Sequence, residues 1–275
     1  MTVPIDGAVV VVTGASGGLG SGLCRELAFY GARLALVARR RGPLEELADS
    51  LRRRGTEAIV VPADVTKPED RRRLIETVEA ELGPIDILVN NAGIGKASRF
   101  VDEDPGQIID LNLLAPIALT REVIGGMVDR ARGHVLNVAS LAALGMPYIV
   151  NYSATKAGLI AFSTGLREEL RGTGVSTTVV LPGFVVDSGI YEAYDTPVPW
   201  YMGSNKTAVI CRKAVAALRS DRPEAILNQL PSRVMLVLKI ISERTFRAIA
   251  NALGLNRYMA SVAKEQKDYD GGAGT

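Results

Sequence analysis

Short apolar runs separated by longer amphipathic stretches restrict this chain to one class of fold. The runs Ala8–Val12, Leu34–Ala38, Ala58–Val61, Ile85–Val89, His134–Val138 and Val175–Leu181 are rich in Val, Ile and Leu and show little alternation. Strands covered on both faces read this way, whereas a strand wetted on one face alternates apolar with polar residues. Between them, Pro43–Arg54 and Pro68–Leu82 have helical period and carry proline where a helix can start. Repeated β–α units dictate a parallel sheet, because right-handed crossovers return each strand to the same direction. The expectation is one α/β domain over residues 1–275, a doubly wound parallel sheet of about seven strands with helices on both faces.

The regular alternation fails after Ser188. Residues Gly189–Lys206 carry Tyr191, Tyr194, Pro197, Pro199, Trp200 and Tyr201, and read as an ordered loop or short helices over a substrate. A helix from Asn205 to Arg219 and a short strand at Glu224–Leu227 should follow. Residues 231–265 then form a C-terminal helical extension: apolar residues dominate Val234–Ile241 and recur at Phe246, Ile249, Ala250 and Leu253. Arg233, Lys239, Arg244, Arg247 and Arg257 make it basic, with Glu243 opposing them. Such a segment can pack on its own domain, cover an apolar cleft, contact a second copy, or lie on an anionic membrane surface.

Bulk numbers exclude several classes. At 275 residues, 47% hydrophobic and 23% charged, the chain is too apolar to be disordered. A net charge of +2 supplies no basic field for nucleic acid. Cys24 and Cys211 stand far apart in no metal-type spacing, as free thiols of a reducing compartment would, although a disulfide stays open. MTVPIDGAVV lacks the basic-then-apolar pattern of a secretory signal, and no uninterrupted apolar run approaches the roughly 18 residues of a spanning helix. A cytoplasmic location is expected. His134 is the single histidine, so a typical zinc site cannot be built, and it reads as structural or exposed. Arg71–Arg73 reads as a solvated helix face.

The first strand runs into Thr13-Gly14-Ala15-Ser16-Gly17-Gly18-Leu19-Gly20 and then a helical stretch through Tyr30. Glycine is needed where a turn demands positive φ or where backbone must approach a pyrophosphate, and a helix N-terminus directs N–H groups at that anion. A glycine pattern alone can be a tight loop; its place between first strand and helix points to a Rossmann-type dinucleotide site. The second strand ends in Val37-Ala38-Arg39-Arg40. An NAD site usually has an acid about 20 residues beyond the glycines, accepting from the ribose. Arginines stand there instead, suited to a 2′-phosphate, so NADP(H) is expected over NAD(H). The alternative is a solvated basic loop.

Tyr152 and Lys156 open a further helical stretch and share one of its faces. A free phenol, with a pKa of about 10, exchanges protons poorly near neutrality, and a nearby ammonium should lower that value. Alone, the spacing is commonplace. Together with Asp64-Val65, Asn90-Asn91-Ala92-Gly93, Asn112 in LNLLA, Ser140 in NVAS and Pro182-Gly183, in this order, it makes the chain resemble the compact short-chain dehydrogenase/reductase family from Asp6 to Arg219. The resemblance implies that Tyr152 is the general acid in reduction and the base in oxidation. Ser140 would hold the substrate oxygen, Lys156 would bind the nicotinamide ribose and tune Tyr152, and Asn112 would hold a relay water. Gly14, Ser16, Gly17, Gly18, Leu19 and Gly20 would cradle the pyrophosphate. Asp64 and Val65 would border the adenine, Asn91, Ala92 and Gly93 would underlie the dinucleotide, and Pro182, Gly183 and Val185 would meet the nicotinamide end.

The chain departs from the family at three places. The Ser140–Tyr152 interval is one residue shorter than in many relatives. Asp187 and Ser188 stand where a threonine usually follows Pro-Gly, which puts the nicotinamide amide contact in question. The Gly-rich end of bacterial ketoacyl-carrier-protein reductases is missing. The reading is an NADP(H)-dependent oxidoreductase for a carbonyl or alcohol, its substrate bulky and apolar, assembled as a homodimer or homotetramer. A catalytically silent nucleotide-binding sensor or scaffold of the same fold is the alternative, and dehydration or epimerisation a third chemistry.

Overall fold

The computed structural model describes residues 3–187, 197–199, 202–228, 237–239 and 241–272, with side chains as far as residue 266. Strands β1 (Val9–Thr13), β2 (Arg33–Ala38), β3 (Ala58–Pro62), β4 (Ile87–Asn90), β5 (Gly133–Val138) and β6 (Val175–Leu181) are followed by β7 (Phe184–Val185), β8 (Ser204–Asn205) and β9 (Glu224–Ile226). Seven of them form one sheet in the order β3-β2-β1-β4-β5-β6-β9, all pairs parallel, and β7 and β8 pair beside it. The helices are α1 (Gly18–Phe29), α2 (Arg41–Arg52), α3 (Pro68–Glu81), α4 (Gly106–Ile109), α5 (Ala115–Asp129), α6 (Val150–Glu169), α7 (Thr207–Arg219), α8 (Glu243–Ala252) and α9 (Leu255–Gly272). This is a Rossmann-type α/β fold.

The continuous apolar strands have the cause inferred for them. In β1, Val10 and Val12 pack with Leu23 and Leu27 of α1, Leu44 of α2 and Ile210 of α7. Their neighbours Val9 and Val11 turn to the other face, against Leu74 and Val78 of α3 and Leu119 and Met127 of α5. Side chains alternate along a strand, so a strand buried twice must be apolar at every position. Each buried aliphatic side chain contributes about 1.5–3 kcal/mol relative to exposure, so neither face tolerates water.

Boundaries differ from the sequence reading in small ways. Pro43 lies inside the first turn of α2, where its missing N–H would have had no partner. Helix α7 starts at Thr207 because Ser204 and Asn205 are drawn into pairing with Phe184 and Val185. Arg71 is a correction: it is buried, donating to Glu122 at 2.9 Å and to the Val65 carbonyl at 3.0 Å, while Arg72 and Arg73 are exposed. A face that looks solvated by composition thus sends one guanidinium under α5. The helical stretch Gly106–Asp129 is long enough to cross a membrane and contains an 18-residue window of mean hydropathy 1.3, though Asp110, Arg121, Glu122 and Asp129 put charge on the stretch. Its Leu119 and Met127 are packed against the sheet. Tyr191, Tyr194, Trp200 and Tyr201 of the expected substrate loop lie outside the described residues, as do Arg233 and Val234 of the extension. Of that extension, α8 and α9 pack over the end of the sheet that carries the cleft described next.

Candidate active site

Strand order reverses between β1 and β4, and a crevice opens outside the carboxyl ends of strands at such a point. A cavity of about 810 Å³ lies there. One end is lined by Gly14, Ser16–Gly20, Arg39, Arg40, Asp64 and Val65, the middle by Asn91–Ile94, and the other end by Ser140, Tyr152, Lys156 and Pro182–Val185. All of the expected site residues therefore border one space except Asn112, which stands behind Gly93.

The glycine turn is shaped by contacts that a side chain would destroy. Gly14 has φ +67°, and a Cβ there would meet Ala92 Cα at 2.8 Å. A Cβ on Gly20 would lie 2.1 Å from the Gly14 carbonyl oxygen, so α1 could not approach the turn. Thr13 and Asn91 clamp this turn to the end of β4. The Thr13 hydroxyl donates to the Val89 carbonyl at 3.2 Å and accepts from the Asn91 and Ala92 N–H groups at 3.0 Å. The Asn91 amide returns a bond to the Thr13 carbonyl at 2.9 Å. The role of Thr13 escaped the sequence reading; a polar residue ending an all-valine strand was its one signal. The residues fit a dinucleotide: a tight backbone cradle opens the 12-residue helix α1, whose first N–H groups have no intrahelical acceptor.

A π-turn, Asp110–Leu114, separates α4 from α5. Such bulges cluster at functional sites because the wider turn re-aims a side chain. Here Asn112, buried, accepts from the Ile94 N–H at 2.8 Å and donates to the Ile94 carbonyl at 2.7 Å, pinning the chain that leaves β4. Its oxygen would lie 3.1 Å from a Cβ on Gly93, and Lys156 Nζ only 3.6 Å, so glycine leaves room for both.

Ser140 follows β5 and caps the 3₁₀ turn Leu141–Leu144, accepting from the Ala142 N–H at 3.1 Å. Its hydroxyl is also near enough to the Tyr152 phenol to favour the phenolate. Lys156, one helical turn beyond Tyr152, is buried, donates to the Val138 carbonyl at 2.8 Å and stands 5.6 Å from the Tyr152 ring centroid. Burial raises the Tyr152 phenol above its ordinary value, and the Ser140 hydroxyl opposes that. Burial also lowers Lys156 to about 8. Lys156 spends one donor on the Val138 carbonyl, and among the protein's own groups it is the Ser140 hydroxyl that favours the phenolate before any cofactor is bound. Gly183 leaves room for the Asn228 amide, which a Cβ there would meet at 2.1 Å and displace. Asp187, in the place of the usual threonine, accepts from the Thr207 N–H and hydroxyl, both at 2.7 Å, and so caps α7.

Beyond Ser140 and Tyr152 the cavity is mostly apolar, bordered by Leu144, Met146, Met202, Phe246, Ala250 and Leu255, with the Asn228 amide beside Met202. Phe246, Ala250 and Leu255 come from α8 and α9. The extension, whose place the sequence leaves open, roofs this end of the cavity.

A model of the short chain dehydrogenase family matches residues 8–196. The ketoacyl reductase HetN of Nostoc sp. is 34% identical over 260 residues, spanning 91% of this chain and 91% of that protein. The 11-beta-hydroxysteroid dehydrogenase 1A of Arabidopsis thaliana is 40% identical over 185 residues, 65% of this chain and 52% of that protein. A metagenomic short-chain oxidoreductase, crystallised in complex with NADP, is 30% identical, with a TM-score of 0.67 covering 82% of this chain and 96% of its own. Arrangement and comparisons agree, and the chain belongs to the short-chain dehydrogenase/reductase family of oxidoreductases.

Proposed function

We propose that the chain moves a hydride between NADP(H) and a bulky, mostly apolar carbonyl or alcohol, with Tyr152 as its acid and base. The observation that carries this reading is the meeting of Ser140, Tyr152 and Lys156 on one wall of the cavity whose far end is the glycine turn. Gly14 and Ser16–Gly20 would hold the pyrophosphate, Arg39 a 2′-phosphate, Asp64 and Val65 the adenine, and Asn91–Gly93 with Pro182, Gly183 and Val185 the rest. The nicotinamide supplies the hydride when bound. In reduction, the Ser140 hydroxyl donates to the substrate oxygen and stabilises charge developing there. Tyr152 gives that oxygen its proton, and the Lys156 ammonium steadies the phenolate left behind. Asn112 holds the Ile94 backbone so that Gly93 stays clear of the lysine. Oxidation runs the same proton in the other direction.

The mostly apolar end beyond Ser140 and Tyr152 supports an extended ketone as substrate, and so do the relatives, one named a ketoacyl reductase and another a hydroxysteroid dehydrogenase. NADPH consumption across a carbonyl panel tests this: bulky ketones should be turned over best, and Tyr152→Phe should lower kcat about 10²–10⁴-fold. Best turnover of short sugars or hydroxy acids would overturn the substrate class. Full activity in Tyr152→Phe would overturn the mechanism, and NADPH binding without consumption would favour a silent sensor.

A further inference from the structure

Helix α8 is fastened to the turn that begins at Ser140. Arg247 Nη1 donates to the Gly145 carbonyl at 2.8 Å and Nη2 to the Leu144 carbonyl at 3.4 Å. Lys239 Nζ also donates to the Leu144 carbonyl. Glu243, one turn before Arg247, accepts from Arg247 Nε at 2.8 Å and stands 3.7 Å from Lys239 Nζ, holding both cations to their targets. The carbonyls they reach lie at the C-terminal end of the 3₁₀ turn, where partial negative charge gathers and cations are favoured. Gly145 is suited to this contact twice over. Its φ is +80°, and a Cβ would come within 3.2 Å of Arg247 Nη2.

The front of the same turn is held from the sheet: the Leu141 N–H donates to the Pro182 carbonyl at 2.9 Å. Ser140 therefore opens a four-residue turn anchored near its start by Pro182 and at its end by α8. Neither Arg247 nor Glu243 borders the cavity, whereas Phe246 and Ala250 on the same helix do. The helix touches substrate space with one face and grips the catalytic turn with the other.

We propose that Arg247 is a positioning residue: through the carbonyls of Leu144 and Gly145 it fixes the turn Leu141–Leu144 and keeps the Ser140 hydroxyl against Tyr152. This rests on the roles proposed above for Ser140 and Tyr152. If the grip is lost, Ser140 drifts, the phenolate loses its hydrogen bond, and the basic form of Tyr152 is reached only at higher pH.

The variants are Arg247→Met, which keeps the stem over Phe246, Arg247→Lys, and Phe246→Ala as the contrast. In Arg247→Met, kcat for a bulky ketone should fall about 10- to 100-fold, the scale expected for misplacing a catalytic group by about 1 Å, with NADPH affinity kept. The pH limb of alcohol oxidation should move upward, and Arg247→Lys should restore part of both. Phe246→Ala should raise KM for bulky ketones and leave the limb in place. Hydrogen exchange at the amides of Ala142, Ala143 and Gly145 should accelerate in Arg247→Met while β1 and α1 stay protected. This readout needs no turnover, so it tests the grip even if no carbonyl is reduced, in which case the proposed function fails by itself. Unchanged exchange, an unmoved limb, or NADPH affinity falling in step with kcat would overturn the inference. Should Arg247→Met not fold, Glu243→Gln should move the limb in the same direction by less, and an unmoved limb there overturns it equally.

Discussion

Arg39 follows β2, exposed, at the end of the cavity bordered by Asp64 and Val65. A guanidinium is charged at every accessible pH and can grip a phosphate with two parallel bonds, while a carboxylate there would accept from ribose hydroxyls and repel the phosphate. Hydrogen bonds to charged groups contribute about 1.5–3 kcal/mol, so Arg39→Asp should weaken NADPH roughly 10- to 150-fold and spare NADH. Measured KM values for the two cofactors decide it, and equal weakening of both would reject a 2′-phosphate role. The same local reasoning separates Tyr152 from Lys156. Both are pressed by burial toward their neutral forms, the phenol upward and the ammonium down to about 8. A bound, oxidised nicotinamide would add a positive charge that favours the phenolate. Under the proposed mechanism, proton exchange at neutral pH would then be a property of the loaded site, to which Ser140 adds.

Helix α7 shows how an element can be terminated from a distance. Its first residue, Thr207, gives its N–H and its hydroxyl to Asp187, 20 positions earlier, and Thr207 holds the carboxyl below its ordinary range. A carboxylate at a helix N-terminus satisfies an orphan donor and faces the positive end of the dipole. Asp187→Ala should therefore cost about 0.5–1 kcal/mol, a melting temperature lower by about 2 °C, because screening at this exposed site keeps the effect small. An unchanged melting temperature would mean the cap is idle. In sequence, Asp187 reads only as a departure from the family, since its partner is not local. The strands were legible for the opposite reason: a doubly buried strand must be apolar throughout, and no distant partner is needed to see it. Most motif residues that border the cavity were legible because they sit at a strand end or a helix start, where local pattern marks the boundary, whereas Asn112 and Lys156 lie within helical stretches and stand out only through the family resemblance. Phe246, Ala250, Leu255, Met202 and Asn228 were not, because packing alone brings them to the cavity. The π-turn at Asn112 has ordinary helical dihedrals at both ends, so nothing in LNLLA announces it.

At the opposite end of the sheet from the cleft, a polar cluster ties several elements together. His134, which follows the first residue of β5, is buried between Ser176 and Thr178 of β6, with Nδ1 2.8 Å from the Ser176 hydroxyl and Nε2 2.9 Å from that of Thr178. Thr178 donates to the Arg222 carbonyl, so Nε2 carries the proton that Thr178 accepts. Asp221, just past α7, lies 2.8 Å from the Ser176 hydroxyl, whose single proton it shares with His134 Nδ1, and accepts from Arg167 of α6 at 2.9 Å. Burial lowers His134 from 6.5 to about 4, with Asp221 pulling upward and Arg167 adding to the decrease. The sign follows from linkage. Above pH 6.5 the ring is neutral in both folded and unfolded chains and adds no slope; below it the unfolded chain takes up a proton that the folded one refuses until about pH 4. Stability should fall on acidification through that window by about 1.4 kcal/mol per pH unit, up to about 3 kcal/mol. The depressed carboxyl of Asp221 works in the same direction but lower, since it must first be protonated. Urea midpoints at pH 7.5, 6 and 5 should thus decline in the wild type and decline less in His134→Gln, whose amide can still donate to Thr178 but takes up no proton. Because the cluster lies away from the cavity, NADPH affinity measured while the protein is folded should be the same in both. If the two proteins decline in parallel, the folded ring titrates as it does in the unfolded chain; a wild type that declines less than His134→Gln would mean that the ring is already charged at neutrality, held so by Asp221 through the single proton of Ser176.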